Sequence, residues 1–130
     1  MSHDYACDTM AWVLRLEKRK LSSKARAIFG SVEAGDTNLV IPAIVLAEIG
    51  YLSERAKVDV TLKEVDTYCQ KFPSAQIEPI TADVIRKSFE IDDIPELHDR
   101  IIAGTARLKN LELITNDPMI VDSSHVMTVW

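Results

Sequence analysis

The chain has 130 residues, which suits one domain and hardly two, so we expect a single domain over residues 1–130. Hydrophobic residues make up 47% and charged residues 27%, so the chain can bury a core without disulfides. Its two cysteines, Cys7 and Cys69, follow no metal or redox spacing and are interpreted as buried or half-buried thiols. The net charge of −5 argues against non-specific binding of nucleic acid, which depends on basic surface.

The sequence also predicts where the protein resides. No basic segment followed by an apolar run opens the chain, so no signal peptide is expected. The longest apolar runs are too short to cross a membrane. Together with the cysteine usage, this predicts a protein of the reducing cytoplasm that has no membrane partner.

In the first half of the chain, short apolar runs alternate with helical patterns. Strands are predicted at residues 5–7 and 39–41. Helices are predicted at residues 10–18, 43–57 and 61–71, and one more follows Ser22 or Ser23 as its cap. Gly35 and Asp36 are expected to end that capped helix.

The second half continues the alternation. A weak strand is predicted at residues 76–80, and stronger strands at 111–115 and 126–130. Helices are predicted at residues 82–89 and 97–110. Strands separated by helices imply parallel crossovers, so we predict a three-layer α/β fold whose small central parallel sheet is flanked by helices. In such sheets, sites form at the carboxyl ends of the strands.

Glu48 is the most informative acidic residue. In a helix over residues 43–57, its neighbours three and four positions away are apolar or aromatic: Ile44, Val45, Tyr51 and Leu52. Glu48 is therefore expected within the stripe that faces the core, where an ionised carboxylate is costly unless it is paired or bound to a metal. The alternative is a glutamate at the edge of the stripe, or one buried against an arginine.

Three aspartates each have an ordinary explanation when considered alone. Asp8 follows the first strand and Asp117 follows the strand at 111–115, so both could be helix caps. Asp99 lies in the first turn of a helix, where it stabilises the helix dipole. Thr9 could be a second cap, or a hydroxyl that supports the acids.

Considered together, these aspartates and Glu48 could meet at one edge of the sheet. Four carboxylates cannot stay ionised at close range without a counter-charge, and Mg²⁺ or Mn²⁺ would supply it. Such an ion would also activate water at a scissile phosphate. No histidine or cysteine cluster for zinc is evident, since His3, His98 and His125 are scattered, with His98 beside Asp99 as a weak exception.

Five segments together resemble the PIN-domain ribonucleases, and within them the VapC-like toxins of toxin–antitoxin pairs. They are YACDT (5–9), IPAIVLAEI (41–49), LHDRIIAGTA (97–106), LITND (113–117) and the closing strand (126–130). Each is a weak motif alone, but the ordered set is fairly specific and covers the whole chain. The resemblance implies a PIN-like fold and a metal-dependent endoribonuclease.

The resemblance also implies roles for individual residues. Asp8 and Asp99 would be direct metal ligands, while Glu48 and Asp117 would bind a second ion or position water. Thr115 would be a hydroxyl that orients the acids. The resemblance further implies Mg²⁺ or Mn²⁺ as cofactor, RNA as substrate, a cognate antitoxin protein and a homodimer.

Two basic groups leave open how an acidic protein would bind RNA. The first contains Arg15, Lys18, Arg19, Lys20, Lys24 and Arg26, and the second contains Arg86 and Lys87. They could follow the RNA backbone or simply be solvated helix faces, and we expect a modest salt dependence.

Three other functions compete with the nuclease. A phosphoacceptor domain is disfavoured, because the first strand offers only Asp8 and no lysine ends the last strand. A PIN nuclease that processes RNA without being a toxin, and a non-catalytic PIN scaffold, remain as alternatives.

Overall fold

The computed structural model describes residues 4–130, so the prediction for His3 lies outside the described residues. The strands are β1 (Tyr5–Cys7), β2 (Leu39–Pro42), β3 (Ala75–Glu78), β4 (Glu112–Ile114) and β5 (Thr128–Val129). The helices are α1 (Thr9–Leu16), α2 (Ser23–Glu33), α3 (Ala43–Glu54), α4 (Leu62–Lys71), α5 (Ala82–Ser88), α6 (Leu97–Leu108) and α7 (Pro118–Val121). Strands and helices alternate, which confirms the predicted α/β fold.

The five strands form one parallel sheet in the order β3-β2-β1-β4-β5. Its central strands are short runs of buried residues, such as Ala6, Cys7, Leu39 and Leu113, as expected for a sheet covered on both faces. The chain leaves β1 toward β2 on one side and reaches β4 on the other. The carboxyl edge beside β1 is therefore a switch point, where α/β sheets form their clefts.

Helix starts follow the capping pattern of the sequence. Six helices begin at a side chain that accepts a hydrogen bond from a backbone N–H of the first turn: those of Asp8, Ser22, Thr61, Thr81, Glu96 and Asp117. Helix α3 differs because it follows β2 directly at Pro42 and has no side-chain cap. Caps predict where helices start, but they do not predict where helices end.

Three helices end earlier than predicted, for one common reason. After α1, α3 and α6 the chain enters the left-handed region at Lys18, Ala56 and Asn110, with φ of 56°, 54° and 56°. At each end, the next residue donates a backbone hydrogen bond to a carbonyl five positions back, such as Arg19 N to Leu14 O (2.8 Å). Glycine adopts this geometry most easily, but none of these three residues is a glycine. The end of α2 does have a glycine in this conformation, Gly35, as predicted. The predicted ends at residues 18, 57 and 110 are therefore wrong by two or three residues.

Smaller differences concern the strands and the thiols. The predicted strands at 76–80 and 126–130 are in fact Ala75–Glu78 and Thr128–Val129. Cys7 is buried and Cys69 half-buried, both as free thiols, as predicted. Among the described residues, no helix is long and apolar enough to span a membrane.

A partly buried hydrogen-bond network joins three helices beside the core. The Arg15 guanidinium donates two hydrogen bonds to Glu33, at 2.9 and 2.7 Å, and the Tyr68 hydroxyl donates a third at 2.7 Å. Burial alone would raise the pKa of Glu33, but the hydrogen bonds from Arg15 and Tyr68 outweigh it and lower the pKa. The ionised form of Glu33 is therefore favoured by the fold.

We expect Glu33→Gln to lower the free energy of unfolding at neutral pH by about 2 kcal/mol, since hydrogen bonds to a charged acceptor are lost. Because folding lowers the pKa of Glu33, its stabilising effect is present above the ordinary glutamate pKa and is lost as pH falls through the folded-state value. Urea unfolding from neutral to acidic pH should show the two proteins converging toward acid. Parallel curves would contradict this account.

Candidate active site

A cleft of about 560 Å³ opens at the carboxyl edge of the sheet, beside β1 and β4. It is lined by Asp8, Thr9, Met10, Glu48, Asp99, Ile102, Asn116, Asp117 and Pro118. All four acids singled out from the sequence thus line one cleft. Met10, Ile102 and Asn116 were not assigned from the sequence, although Asn116 lies between two residues that were.

Asp8 is the most deeply placed of the four acids. It caps α1, as its ordinary explanation predicted, and Oδ1 accepts a hydrogen bond from Ala11 N (2.8 Å). Oδ2 accepts one from Thr115 Oγ1 (2.5 Å). Burial raises the pKa of Asp8, the hydrogen bonds from Thr115 and Ala11 counteract this, and Asp117 and Glu48 raise it further by repulsion. The side chain is therefore fixed in position but crowded by negative charge.

Thr115 connects two of the acids. Its hydroxyl donates to Asp8 and accepts a hydrogen bond from the backbone N–H of Asp117 (3.1 Å). Asp117 Oδ1 in turn accepts from Met119 N (2.9 Å) and caps α7. One buried hydroxyl at the end of β4 thus fixes the relative positions of Asp8 and the turn that carries Asp117.

Glu48 does not lie within a core-facing stripe, and that prediction was wrong. In α3 the buried residues are Val45 and Ile49, whereas the Tyr51 side chain is 55% exposed. The Glu48 side chain is 25% exposed at the edge of the cleft, where Oε1 accepts a hydrogen bond from Thr9 Oγ1 (2.6 Å). Helix α3 carries apolar residues on all of its sides, so their spacing alone did not show which face is buried.

Asp99 enters the cleft from the first turn of α6. Its backbone N–H donates to the Glu96 side chain (2.6 Å), so the cap of α6 is Glu96. Burial, together with repulsion from Asp117, Glu96, Glu48 and Asp8, raises the pKa of Asp99 to about 6. Repulsion among carboxylates is the condition that a bound cation relieves.

His98 lies beside Glu48, in a neighbouring cavity that both residues line. Its Nδ1 is 3.1 Å from Glu96 Oε1 and 3.9 Å from Glu48 Oε2, and half of the side chain is exposed. The imidazole therefore lies near one carboxylate oxygen of Glu48, whereas Thr9 donates a hydrogen bond to the other. The adjacency of His98 to Asp99 in sequence was the signal for this placement.

The donor set suits a hard divalent cation that keeps part of its water. Among residues 4–130, no three of the four cleft acids bring oxygen atoms within 4.8 Å of one another. Mg²⁺ is usually bound through one or two carboxylates and keeps several waters, so this wider spacing fits it. The residues that could hold an ion are Asp8, Glu48, Asp99 and Asp117.

A second acidic group includes a single histidine, His125. Asp92, Asp93 and His125 bring ligand atoms within 4.8 Å of one another. Hydrogen bonds explain this group, because Asp93 accepts from Ser123 Oγ (2.7 Å) and Ser124 N (2.9 Å). His125 Nε2 lies 2.9 Å from Asp92 Oδ1. The group joins two loops and lies apart from the cleft.

The fold and the cleft define a class: an α/β protein whose parallel sheet presents four carboxylates at its carboxyl edge. The family model of the PIN domain matches residues 5–123, so the chain belongs to the PIN-domain family. No curated protein matched the chain.

Solved structures share this fold at low sequence identity. VapBC2 of Rickettsia felis, bound to a promoter DNA fragment, has a TM-score of 0.75 at 20% identity, over 98% of both chains. DNA-bound VapBC of Salmonella typhimurium has a TM-score of 0.71 at 15% identity, over 99% of this chain and 98% of the other. VapC20 of Mycobacterium tuberculosis, a toxin that cleaves the sarcin–ricin loop, has a TM-score of 0.59 at 16% identity, over 95% and 98%.

Proposed function

We propose that this PIN-domain protein is a metal-dependent endoribonuclease and the toxin of a toxin–antitoxin pair. The observation that carries the proposal is the single cleft lined by Asp8, Glu48, Asp99 and Asp117. Its support is the match to a family whose members are generally nucleases, together with the likeness to VapC and VapBC structures. We also propose that the chain is one domain, since its buried residues form one core cluster.

In this proposal the four acids have different tasks. Asp8 and Asp99 are direct ligands of Mg²⁺ or Mn²⁺, and Glu48 and Asp117 bind a second ion or orient water. Thr115 holds Asp8 in place, and Thr9 does the same for Glu48. When bound, the ion supplies positive charge at the scissile phosphate and lowers the pKa of water.

The chain's own groups account for the preorganisation that cleavage needs. Asp8 is immobilised by two hydrogen bonds, Glu48 by one and Asp117 by the turn of α7. Acids already fixed in position need little rearrangement when RNA binds. Such preorganisation is a main way in which a protein lowers the activation barrier of phosphodiester cleavage. Because fixed carboxylates repel an RNA phosphate, activity requires the cation.

The proposed partners follow from the same likeness. The R. felis and S. typhimurium structures are VapBC complexes, and one from Neisseria gonorrhoeae is FitAcB. We propose a cognate antitoxin, a homodimer and a cytoplasmic location for this chain. Two exposed apolar side chains, Met10 in this cleft and Tyr51 in a neighbouring cavity that Glu48 also lines, offer surface that a protein partner could cover.

Purified protein freed of any antitoxin should cleave total cellular RNA with Mg²⁺ or Mn²⁺ and lose this activity in a chelator. A second readout does not depend on activity. Because an ion that binds only the folded state stabilises it, either metal should raise the melting temperature by several degrees. Cleavage that persists in chelator, or RNA left intact under every metal condition, would contradict the proposal. A metal-induced rise in melting temperature without cleavage would favour the non-catalytic scaffold.

A further inference from the structure

A second and larger cleft, of about 860 Å³, lies away from the acids. It is lined by Arg15, Leu16, Lys18, Arg19, Lys20, Leu21, Arg26, Glu33, Tyr68 and Phe72. We call it the basic cleft, because five of these side chains are cationic and only Glu33 is acidic. Arg15 and Tyr68 already engage Glu33 through hydrogen bonds, so this acid does not offset the remaining cations.

The positive charge of this cleft is unusual for so acidic a protein. Of the 15 Lys and Arg residues, six lie within residues 15–26, beside a single acid, Glu17. Glu17 pairs with Arg19 (3.2 Å). Among residues 4–130, Lys18, Lys20 and Arg26 have no ion pair. A concentrated positive field in a chain of net charge −5 points to a polyanionic ligand.

The cations are carried by an ordered turn. Lys18 has a positive φ of 56°, and Arg19 N donates to Leu14 O (2.8 Å) to close the end of α1. Glu17 Oε2 accepts a hydrogen bond from Asp59 N (2.8 Å), which attaches this turn to the segment before α4. The turn thus gathers like charges at one place, although like charges repel.

Helix α1 is a wall shared by both clefts. We call the cleft lined by the four carboxylates the acidic cleft. The first residues of α1, Thr9 and Met10, line the acidic cleft, and its last residues, Arg15 and Leu16, line the basic cleft. Eight helical residues span about 12 Å. Successive phosphates of one strand are about 3.4 Å apart along a stacked helix and farther apart in an extended strand, so the clefts are only a few nucleotides apart.

We propose that the basic cleft binds the phosphate backbone of single-stranded RNA, a few nucleotides from the phosphate held at the acids. This inference rests on the proposed nuclease function and assigns a second contact on the same substrate. It resolves the conflict between an acidic protein and a polyanionic substrate, because the cations lie only the length of α1 from the acids. The second basic group, Arg86 and Lys87, is not part of this surface, since these side chains pair with Asp83 and Glu90.

The test measures the salt dependence of RNA binding in an Asp8→Asn background, which prevents cleavage. Fluorescence anisotropy would follow a fluorescein-labelled single-stranded oligouridine. The variant Lys18→Gln/Lys20→Gln removes two unpaired cations, and the matched control Arg86→Gln/Lys87→Gln removes two paired ones. Each lost phosphate contact lowers the salt slope by about 0.7, so we expect a reduction of about 1.4 and at least tenfold weaker binding at low salt. The control should keep the slope and the affinity of the background protein.

The outcomes separate this inference from the proposed function. Equal slopes for the two double variants overturn the inference, while metal-dependent cleavage by the wild-type protein leaves the nuclease proposal standing. If Lys18→Gln/Lys20→Gln weakens binding of poly-glutamate but not of RNA, the cleft serves an acidic protein instead. A wild-type protein that neither cleaves RNA with metal nor binds oligouridine overturns both. Melting curves of the variants should match that of the background protein, because both lysines are exposed.

Discussion

Asp8→Asn should lower the rate of metal-dependent RNA cleavage by about 10³-fold, which corresponds to about 4 kcal/mol of lost transition-state stabilisation. Asparagine keeps the size of the side chain and one acceptor oxygen, so it can still cap α1 at Ala11. It loses the negative charge that a cation requires. Initial rates on a labelled RNA, measured at saturating Mn²⁺ and Mg²⁺, would give the ratio.

Stability is the second readout of this variant. In the folded protein, burial and the neighbouring acids disfavour the ionised form of Asp8. Removing its charge should therefore leave the metal-free protein at least as stable as the wild type, while metal should no longer raise its melting temperature as much. The matched control is Asp36→Asn, the same change at an exposed aspartate in the turn after α2. It should preserve both the rate and the stabilisation by metal.

A rate for Asp8→Asn within about threefold of the wild type would remove Asp8 from the catalytic machinery, since the loss of a required charge costs more than 1 kcal/mol. Inactivity combined with a lower melting temperature would instead show that Asp8 mainly supports the fold. These two results cannot be confused, because rate and stability are measured separately.

Gly104→Ala is expected to be the most destabilising small substitution among the described glycines. A Cβ atom at this position would lie 2.1 Å from Ser88 Oγ, 2.9 Å from its Cβ and 2.8 Å from its Cα. Helices α5 and α6 would have to separate, because the last of these atoms belongs to the backbone. We expect a loss of about 3 kcal/mol in the free energy of unfolding and a fall in melting temperature of roughly 10 °C.

Two further variants show whether backbone contact is the cause. Ser88→Ala added to Gly104→Ala removes only the hydroxyl, so it should restore little stability. Gly30→Ala is the matched control, since Gly30 is exposed in α2 and a Cβ there would meet nothing within 4 Å. It should stabilise the protein by about 1 kcal/mol through helix propensity alone.

Recovery of most of the lost stability by Ser88→Ala would refute the backbone explanation, and the side chain alone would then be responsible. The variant also bears on the acidic cleft, because α6 carries Asp99 at its first turn. If α6 shifts, cleavage by Gly104→Ala should fall even at temperatures where the protein stays folded.

The sequence by itself determined the fold class and most helix starts. The alternation of short apolar runs with helical patterns required parallel crossovers, and residues such as Ser22, Thr61 and Thr81 mark helix starts because their side chains accept backbone hydrogen bonds locally. The sequence also singled out Asp8, Glu48, Asp99 and Asp117, because together they could meet at one edge of the sheet and because they match the ordered motifs that resemble the PIN-domain ribonucleases. The fold class and the helix starts depend on interactions between residues that are close in the chain.

The tertiary structure alone decided the features that depend on distant residues. The face of α3 that is buried, and hence the position of Glu48 at the edge of the cleft, follows from packing and from the hydrogen bond of Thr9. Three helix ends depend on left-handed conformations at Lys18, Ala56 and Asn110, and these residue types do not by themselves predict such a conformation. The basic cleft likewise requires α4 to pack against the end of α1, which brings Tyr68 and Phe72 to the turn that carries the lysines. Local patterns cannot specify such contacts, because their energy comes from pairs of residues that only the completed fold brings together.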